Sequence, residues 1–438
     1  MTELLSWGRY PRIPQRAMPI YWEDQVADAV SSVQQNGTGT TLAYGCGRSY
    51  GDSCLAASNH VLHMQGLNRV LKADWRSGII RAQTGMTIAD LITLALPRGW
   101  FPPVTPGTKF VSLGGAVAND VHGKNHHRVG TFGCHVTRLC LYRSDIGVVE
   151  CSSDDHPELF AATIGGLGLT GIILWVELRL KPVTSSNLHQ RTIKFPRIAR
   201  FFELAATHDD EYEYSASWID CLASGSALGR GHYIVADHMD GDIDERTRGS
   251  RLAMPVDPPF SLVNRWTMRL FNAIYFNKAW RQDRRTVLHF DPYFYPLDSI
   301  GNWNRIYGRR GFQQYQCVVP AATAPAAIER VVDEIRRAHS GSFLTVLKCC
   351  GSIQSPGVLS FPLEGITLAM DFPQSVGLDA LFQRLDDLVH EAGGRLYPAK
   401  DAHMQKEHFQ HAYPDWAQVD AQRDPALMSR FWQRVTGQ

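Results

Sequence analysis

Read for periodicity, the first 185 or so residues alternate short β-patterned runs with amphipathic helices. Val26, Val30 and Val33 share one face of a helix expected from 23 to about 35, where Asn36-Gly37 would stop it. A second helix starts at Thr87, an N-cap with Asp90 three positions on, and turns Ile88, Leu91 and Ala95 inward until Pro97. Strands are expected at 40–44, 60–64, 79–83, 137–142 and 172–180. Past Lys181-Pro182 the character changes. Residues 212–219 and 232–236 read as strands, and 238–300 reads as irregular, aromatic and basic. A helix at 325–338 then precedes a strand at 343–348. The strand 366–372 leads into a helix at 379–392, whose Leu381, Leu385, Leu388 and Val389 form an apolar stripe closed by Gly393-Gly394. Strand–helix–strand–strand–helix order implies an antiparallel sheet backed by helices. The expected fold class is therefore α+β, with one domain over 1–185 and a second, substrate-binding domain over 186–394.

Bulk composition narrows the function classes. At 438 residues the chain is long enough for two domains with a large core, and a formal charge of +1 argues against a nucleic-acid partner. Nine cysteines without a C-x-x-C pair fit a reducing cytoplasm better than a disulfide framework. The start of the chain lacks the basic and apolar regions of a signal peptide, and no apolar run approaches the roughly 20 residues that cross a bilayer. The expected location is cytoplasmic, at most peripheral at a membrane face.

Three glycine-rich segments carry the candidate chemistry. Gly45-Cys46-Gly47-Arg48-Ser49-Tyr50-Gly51-Asp52 follows a strand-like run, and glycines at that density let successive backbone N–H groups point at one anion. The spacing is G-x-G-x-x-x-G with no helix pattern after it, so a Rossmann fingerprint does not fit. The second segment runs from Thr105-Pro106-Gly107-Thr108 through Gly114-Gly115-Ala116 to Asp120-Val121-His122-Gly123-Lys124-Asn125, and the third is Gly165-Gly166-Leu167-Gly168-Leu169-Thr170-Gly171-Ile172-Ile173. Small residues in all three suggest one long, flat, phosphorylated ligand threaded between backbones. His122, His126, His127, Cys134 and His135 are dense enough to weigh zinc, but they lack the two regular ligand pairs of a structural site, so no metal is expected. Gln314 and Gln316 lie two apart on a strand and face one side, with Tyr315 opposite.

In order and content, these segments resemble the PCMH-type FAD-binding domain of the vanillyl-alcohol-oxidase flavoenzymes. Trp303-Asn304-Arg305-Ile306-Tyr307-Gly308, Gly311 to Gln316, Ser360-Phe361-Pro362 and Gly394 to Asp401 further resemble the decaprenylphosphoryl-β-D-ribose 2′-oxidase family, over roughly residues 10 to 436. The resemblance implies FAD held against Gly45, Gly47, Arg48, Ser49, Tyr50, Gly51, Pro106, Gly107, Thr108, Gly114, Gly115, Ala118, Asn119, His122, Gly123, Asn125, Gly168, Gly171, Ile172 and Tyr397. Tyr50 stands where several relatives carry a histidine bonded to the flavin, so the cofactor should be non-covalent. Residues 395–438 are expected to return to the first domain and bring Lys400 to the flavin.

Lys400, His122, Tyr50 and Gln316 are the implied catalytic residues. Trp218, Gln314, Gln316, Lys348, Thr367 and Lys400 are the implied substrate contacts, although core packing explains Trp218 or Tyr397 equally well. The implied reaction is oxidation of the 2′-hydroxyl of a polyprenyl-phosphoryl β-D-ribose to a keto sugar, which a separate NAD(P)H-dependent short-chain reductase would convert to the arabinose epimer. A soluble-sugar oxidase, of the alditol or aldonolactone type, is the competing reading on the same fold. Two departures stand out: Ala369 replaces a family cysteine and Thr367 a family asparagine. The stretch 264–285, with interleaved Arg, Lys, Trp, Phe and Tyr, reads either as a peripheral membrane contact or as a solvated lid.

Overall fold

The structure, a computed structural model, describes residues 3–35, 39–244, 252–279 and 281–438. Asn36-Gly37, the expected stop of the first helix, lies outside the described residues. The helix itself spans Gln25–Val33 and buries Val26, Ala29, Val30 and Val33.

Two large sheets organise the molecule. The first has five antiparallel strands in the order Val70–Asp74, Ile79–Gln83, Ile172–Arg179, Val136–Arg143 and Gly147–Cys151. Its Ile80, Ala82, Leu139, Leu141, Val176 and Leu178 form one core with Ile88, Leu91, Ile92 and Ala95 of the helix Ile88–Ala95. Thr87 caps that helix reciprocally with Asp90, as its sequence demands. A smaller four-stranded sheet carries Ala43–Tyr44 at its edge, so the first glycine loop leaves directly from a strand end.

The second large sheet has eight antiparallel strands: Asp283–His289, Asn187–Phe195, Gly231–His238, Tyr214–Ile219, Thr345–Cys350, Gly365–Pro373, Phe312–Pro320 and Arg395–Leu396. The helices Ile198–His208, Ala324–Arg337 and Leu378–Glu391 bury their apolar stripes in the same core as Tyr315, Leu347, Leu368 and Met370. The sheet's pleat sends the alternate residues to the other side. There, register aligns Trp218, Val346, Ala369 and Gln316 in one row across four strands, with Gln314 opposite Asp371 and Lys348 opposite Thr367.

The described residues between 238 and 300 are more regular than their sequence implies. Asn264 caps a helix over Arg265–Lys278 in a capping box with Thr267, and the strand Asp283–His289 and short helix Phe290–Phe294 follow. Only Met268 and Asn272 of that helix are buried. Its apolar positions therefore do not form the inward stripe by which a helix is recognised.

The last segment leaves the large sheet at Arg395–Leu396 and crosses back to the N-terminal part, where Leu427 bridges to Thr41 and Ser429 to Ala56. Arg434 fixes the crossing: it donates to both oxygens of Asp52, at 2.8 and 3.1 Å, and to Asp401 at 2.8 Å.

Candidate active site

A cavity of about 570 Å³ lies between the glycine-rich loops of the N-terminal part and the open face of the eight-stranded sheet. The loops supply one wall through Gly45, Gly47–Tyr50, Thr105–Thr108, Gly114, Gly115, Ala118, Asn119, Gly168 and Gly171. The sheet supplies the other through Trp218, Gln314, Gln316, Val346, Lys348 and Ala369, and Phe271, Tyr275 and Trp303 also line the space.

Backbone shape sets the first wall. Gly47 has φ +60, and a Cβ there would stand 1.9 Å from the Tyr44 hydroxyl, so the loop can turn this tightly only without a side chain. Gly107 and Gly168 differ: a Cβ on either would meet no atom within 4 Å. They hold main chain open to the cavity, as a ligand lying flat along the backbone requires. Arg48 brings a guanidinium to the same wall, stacked 3.9 Å over Trp7, and donates from Nε to the Phe110 carbonyl. A glycine-lined cradle with one half-buried arginine fits the extended, anionic FAD.

The polar groups gather where loop and sheet meet. His122 lies 3.0 Å from Lys348 Nζ through Nδ1 and 3.0 Å from the Gln316 amide through Nε2. Burial and the neighbouring Lys348 hold its pKa well below the ordinary value, so the ring is neutral. A neutral imidazole has one donor and one acceptor. With Lys348 donating to Nδ1, the proton sits on Nε2, and Gln316 must present its amide oxygen there. Tyr397 packs edge-on to His122 at 5.6 Å and donates its hydroxyl to the Asn119 carbonyl, joining the C-terminal segment to the loop wall.

Lys400 places its ammonium 3.9 Å from the centre of the Tyr50 ring, and Tyr50 N–H donates to the Ala399 carbonyl. Burial, aided by Arg48 and Lys348 and opposed by Asp371, lowers the Lys400 pKa to about 7. Burial likewise raises Asp371 to about 7, against a 2.6 Å hydrogen bond from Gln314. Burial takes Lys348 down to about 8 and, with Lys348 beside it, Lys124 to about 7. The cavity thus collects amines that lose protons near neutrality, the condition for exchanging a proton with a substrate hydroxyl.

Residues 22–152 match the family described as FAD binding domain. Across 441 aligned positions, the chain is 33% identical to the decaprenylphosphoryl-β-D-ribose oxidase of Mycolicibacterium smegmatis, covering 96% of this chain and 94% of that protein. The chain belongs to this family of FAD-dependent oxidoreductases. It is also 33% identical, over 78% of its length and 96% of the relative, to an uncharacterised protein from the mprA 5′ region of Streptomyces coelicolor. More distant similarity, 29% over 31% of the chain and 30% of the relative, links it to L-gulonolactone oxidase of Bos taurus.

Within this FAD-dependent oxidoreductase, most residues singled out from sequence converge on the cavity, but Gly51, Asn125, Ile172 and Thr367 do not line it. Gly51 lies against the C-terminal segment, where a Cβ would come within 1.6 Å of the Asp401 carbonyl oxygen. Asn125 is buried behind Gly123 and donates to the Pro103 carbonyl. Strand alternation turns Ile172 into a separate core with Cys140 and Trp175, while Ile173 lines the cavity. Thr367 is buried and bonds back to the Lys348 carbonyl at 3.4 Å, leaving Ala369 two residues on to line the space.

The histidine–cysteine cluster disperses. His127 bonds the Tyr212 carbonyl, His135 the Val129 carbonyl, and Cys134 lies 3.7 Å from the Gln354 carbonyl. Among the described residues no group of three or more His, Cys, Asp or Glu is placed to hold a metal ion. Sequence reasoning passed over Trp7, Lys124, Phe271, Tyr275 and Asp371. Lys124 lies within the second glycine segment and Asp371 two positions from Ala369, so for these two alternation and adjacency were the available signals.

Proposed function

We propose that the protein oxidises the 2′-hydroxyl of a polyprenyl-phosphoryl β-D-ribose to the 2′-keto sugar. The observation that carries this reading is Lys400: a cavity-lining amine with a pKa near neutrality, set over Tyr50 in the same cavity as the Gln316–His122–Lys348 chain. FAD, when bound, supplies the acceptor for the hydride leaving the sugar carbon. Neutral Lys400 takes the hydroxyl proton, and Tyr50 holds its ammonium product by a cation–π contact. Gln316 and His122 orient the furanose, and Lys348 sets the tautomer of His122 while adding positive charge for a phosphate. Lys124, also at the cavity wall, adds a second amine on that side.

In this reading residues 1–185 hold FAD, 186–394 hold the sugar, and 395–438 return to complete the site. Tyr50 has no histidyl nitrogen with which to tether the flavin, which favours non-covalent FAD. The relationship to a decaprenylphosphoryl-β-D-ribose oxidase along nearly the whole chain supports a lipid-linked ribose over the lactones named for relatives that align with less than half of it. A separate nicotinamide-dependent reductase would turn the keto product into the arabinose epimer.

The test is anaerobic titration of the purified flavoprotein. Bleaching by farnesylphosphoryl ribose, without bleaching by free ribose, alditols or aldonolactones, is expected. Bleaching by a lactone alone would move the assignment to the soluble-sugar oxidases.

A further inference from the structure

The helix Arg265–Lys278 has two faces that do different work. At about 100° per residue, Met268, Phe271, Asn272 and Tyr275 fall on one side. Met268 joins the cluster around Tyr50 and Trp303, Asn272 donates to Asp220 at 2.8 Å, and Phe271 and Tyr275 line the cavity. The opposite side carries Trp266, Leu270 and Ile274, which are 63, 64 and 61% exposed. Three large apolar residues at i, i+4 and i+8 make a continuous ridge in contact with solvent. Phe260 and Leu262 are also exposed in the segment leading into the helix, which Thr267 ties on by donating to the Leu262 carbonyl.

The charge around this ridge has one sign. No acidic residue occurs between Asp257 and Asp283, while Arg265, Arg269, Lys278 and Arg281 do. Helical spacing puts Arg265 and Arg269 on one flank of the ridge and Lys278 on the other, all exposed. The two bordering acids are engaged elsewhere, Asp257 with Arg9 and Asp283 with Arg191 at 2.7 Å. Water is an unfavourable neighbour for such a ridge, and the cationic flanks disfavour a second copy of the same surface. An apolar strip between cations is the form of a helix lying in the interface of an anionic bilayer. Among the described residues no helix is long and apolar enough to cross a membrane, so this contact would be superficial.

We propose that Arg265–Lys278 is a membrane-docking helix, seating Trp266, Leu270 and Ile274 among the acyl chains of an anionic phospholipid surface and thereby setting the cavity at the bilayer. The inference deepens the lipid-linked substrate reading and rests on it for its purpose, because a sugar anchored in the membrane would then enter beneath the helix past Phe271 and Tyr275.

The experiment is co-sedimentation of the flavin-loaded enzyme with vesicles of phosphatidylcholine alone and of phosphatidylcholine mixed with phosphatidylglycerol. Binding to the anionic vesicles should exceed binding to the neutral ones by about tenfold or more, fall with added salt, and blue-shift tryptophan emission. The triple variant Trp266→Ser, Leu270→Ser, Ile274→Ser should lose the binding while keeping flavin content, melting temperature and anaerobic bleaching by soluble farnesylphosphoryl ribose. Should that variant fail to fold, Arg265→Glu with Arg269→Glu serves instead and should abolish the anionic preference. Equal sedimentation of parent and variant, no sedimentation of the parent, or a dimer that dissolves in the variant would each overturn the proposal. Vesicle binding without bleaching by the ribose substrate would leave this surface standing and sink the substrate reading.

Discussion

In the proposed reaction Lys400 works as a base only because the cavity takes its amine out of bulk water. In water its amine would be protonated at neutral pH and unable to take a proton; in the cavity its pKa falls to about 7. The sign of the pH effect follows. With the neutral amine as the proposed base, the rate of anaerobic flavin reduction should rise as pH climbs through about 7 and level off above it. Stopped-flow reduction across pH 5.5 to 9 checks this, with the scan range set by about 1.5 to 2 units on either side of that value. Replacing Lys400 with Ala should slow reduction by roughly 10²–10⁴-fold, the usual weight of a positioned base, and flatten the profile without releasing FAD. Reduction at the parent rate would remove Lys400 from the mechanism. Tyr50 leads to a further expectation: acid precipitation should leave the flavin in the supernatant, and colour retained in the pellet would mean a covalent link.

At the scale of elements, glycines in neighbouring loops have separable jobs. Gly51→Ala would push a methyl into the Asp401 backbone, where a Cβ sits 1.6 Å from the oxygen. We expect that variant to lose about 2–3 kcal/mol of stability, since main chain yields less readily than a side-chain tip. Gly107→Ala meets nothing in the protein. It should fold as the parent does and weaken FAD binding by about tenfold or more, or about 1.4 kcal/mol. Denaturant titration and flavin fluorescence separate the two. Arg434 is the corresponding clamp between elements, holding the deeply buried carboxylates of Asp52 and Asp401 together. Arg434→Met would leave Asp52 without its cation and Asp401 with only His403, and should cost about 3–5 kcal/mol, with flavin reduction slowed because Lys400 adjoins Asp401. Arg434→Lys should recover part of each loss in the same assays.

For the whole molecule, the cavity sits at the junction of two sheets and a returning C-terminal segment, so its ligand touches parts of the chain far apart in sequence. Removing FAD should therefore lower the melting temperature, and adding it back at about a hundred times its Kd should restore about 2.7 kcal/mol. Calorimetry on apoprotein and reconstituted protein tests this, and identical transitions would mean that the cofactor does not bridge the two parts.

Local pattern was enough for what depends on neighbours in the chain: the capped helix at Thr87, the stripe Leu381–Leu385–Val389, the glycine loops, and Gln314 with Gln316 on one face. These follow from periodicity and from what a backbone without side chains permits. Only the fold could decide what depends on long-range packing. Position along one face of the strand put Ala369 on the cavity and left Thr367 packed behind against the Lys348 carbonyl, and the return of the C-terminus assigned Gly51 to Asp401 rather than to a ligand. The stretch 264–285 stands out in the sequence for its basic and aromatic residues, but its helix Arg265–Lys278 reads as irregular there because its apolar ridge faces outward, a direction that periodicity alone cannot assign. Burial decided the rest: the Lys400 pKa falls to about 7 through the low-dielectric space that distant residues enclose, and no local segment of sequence encodes that enclosure.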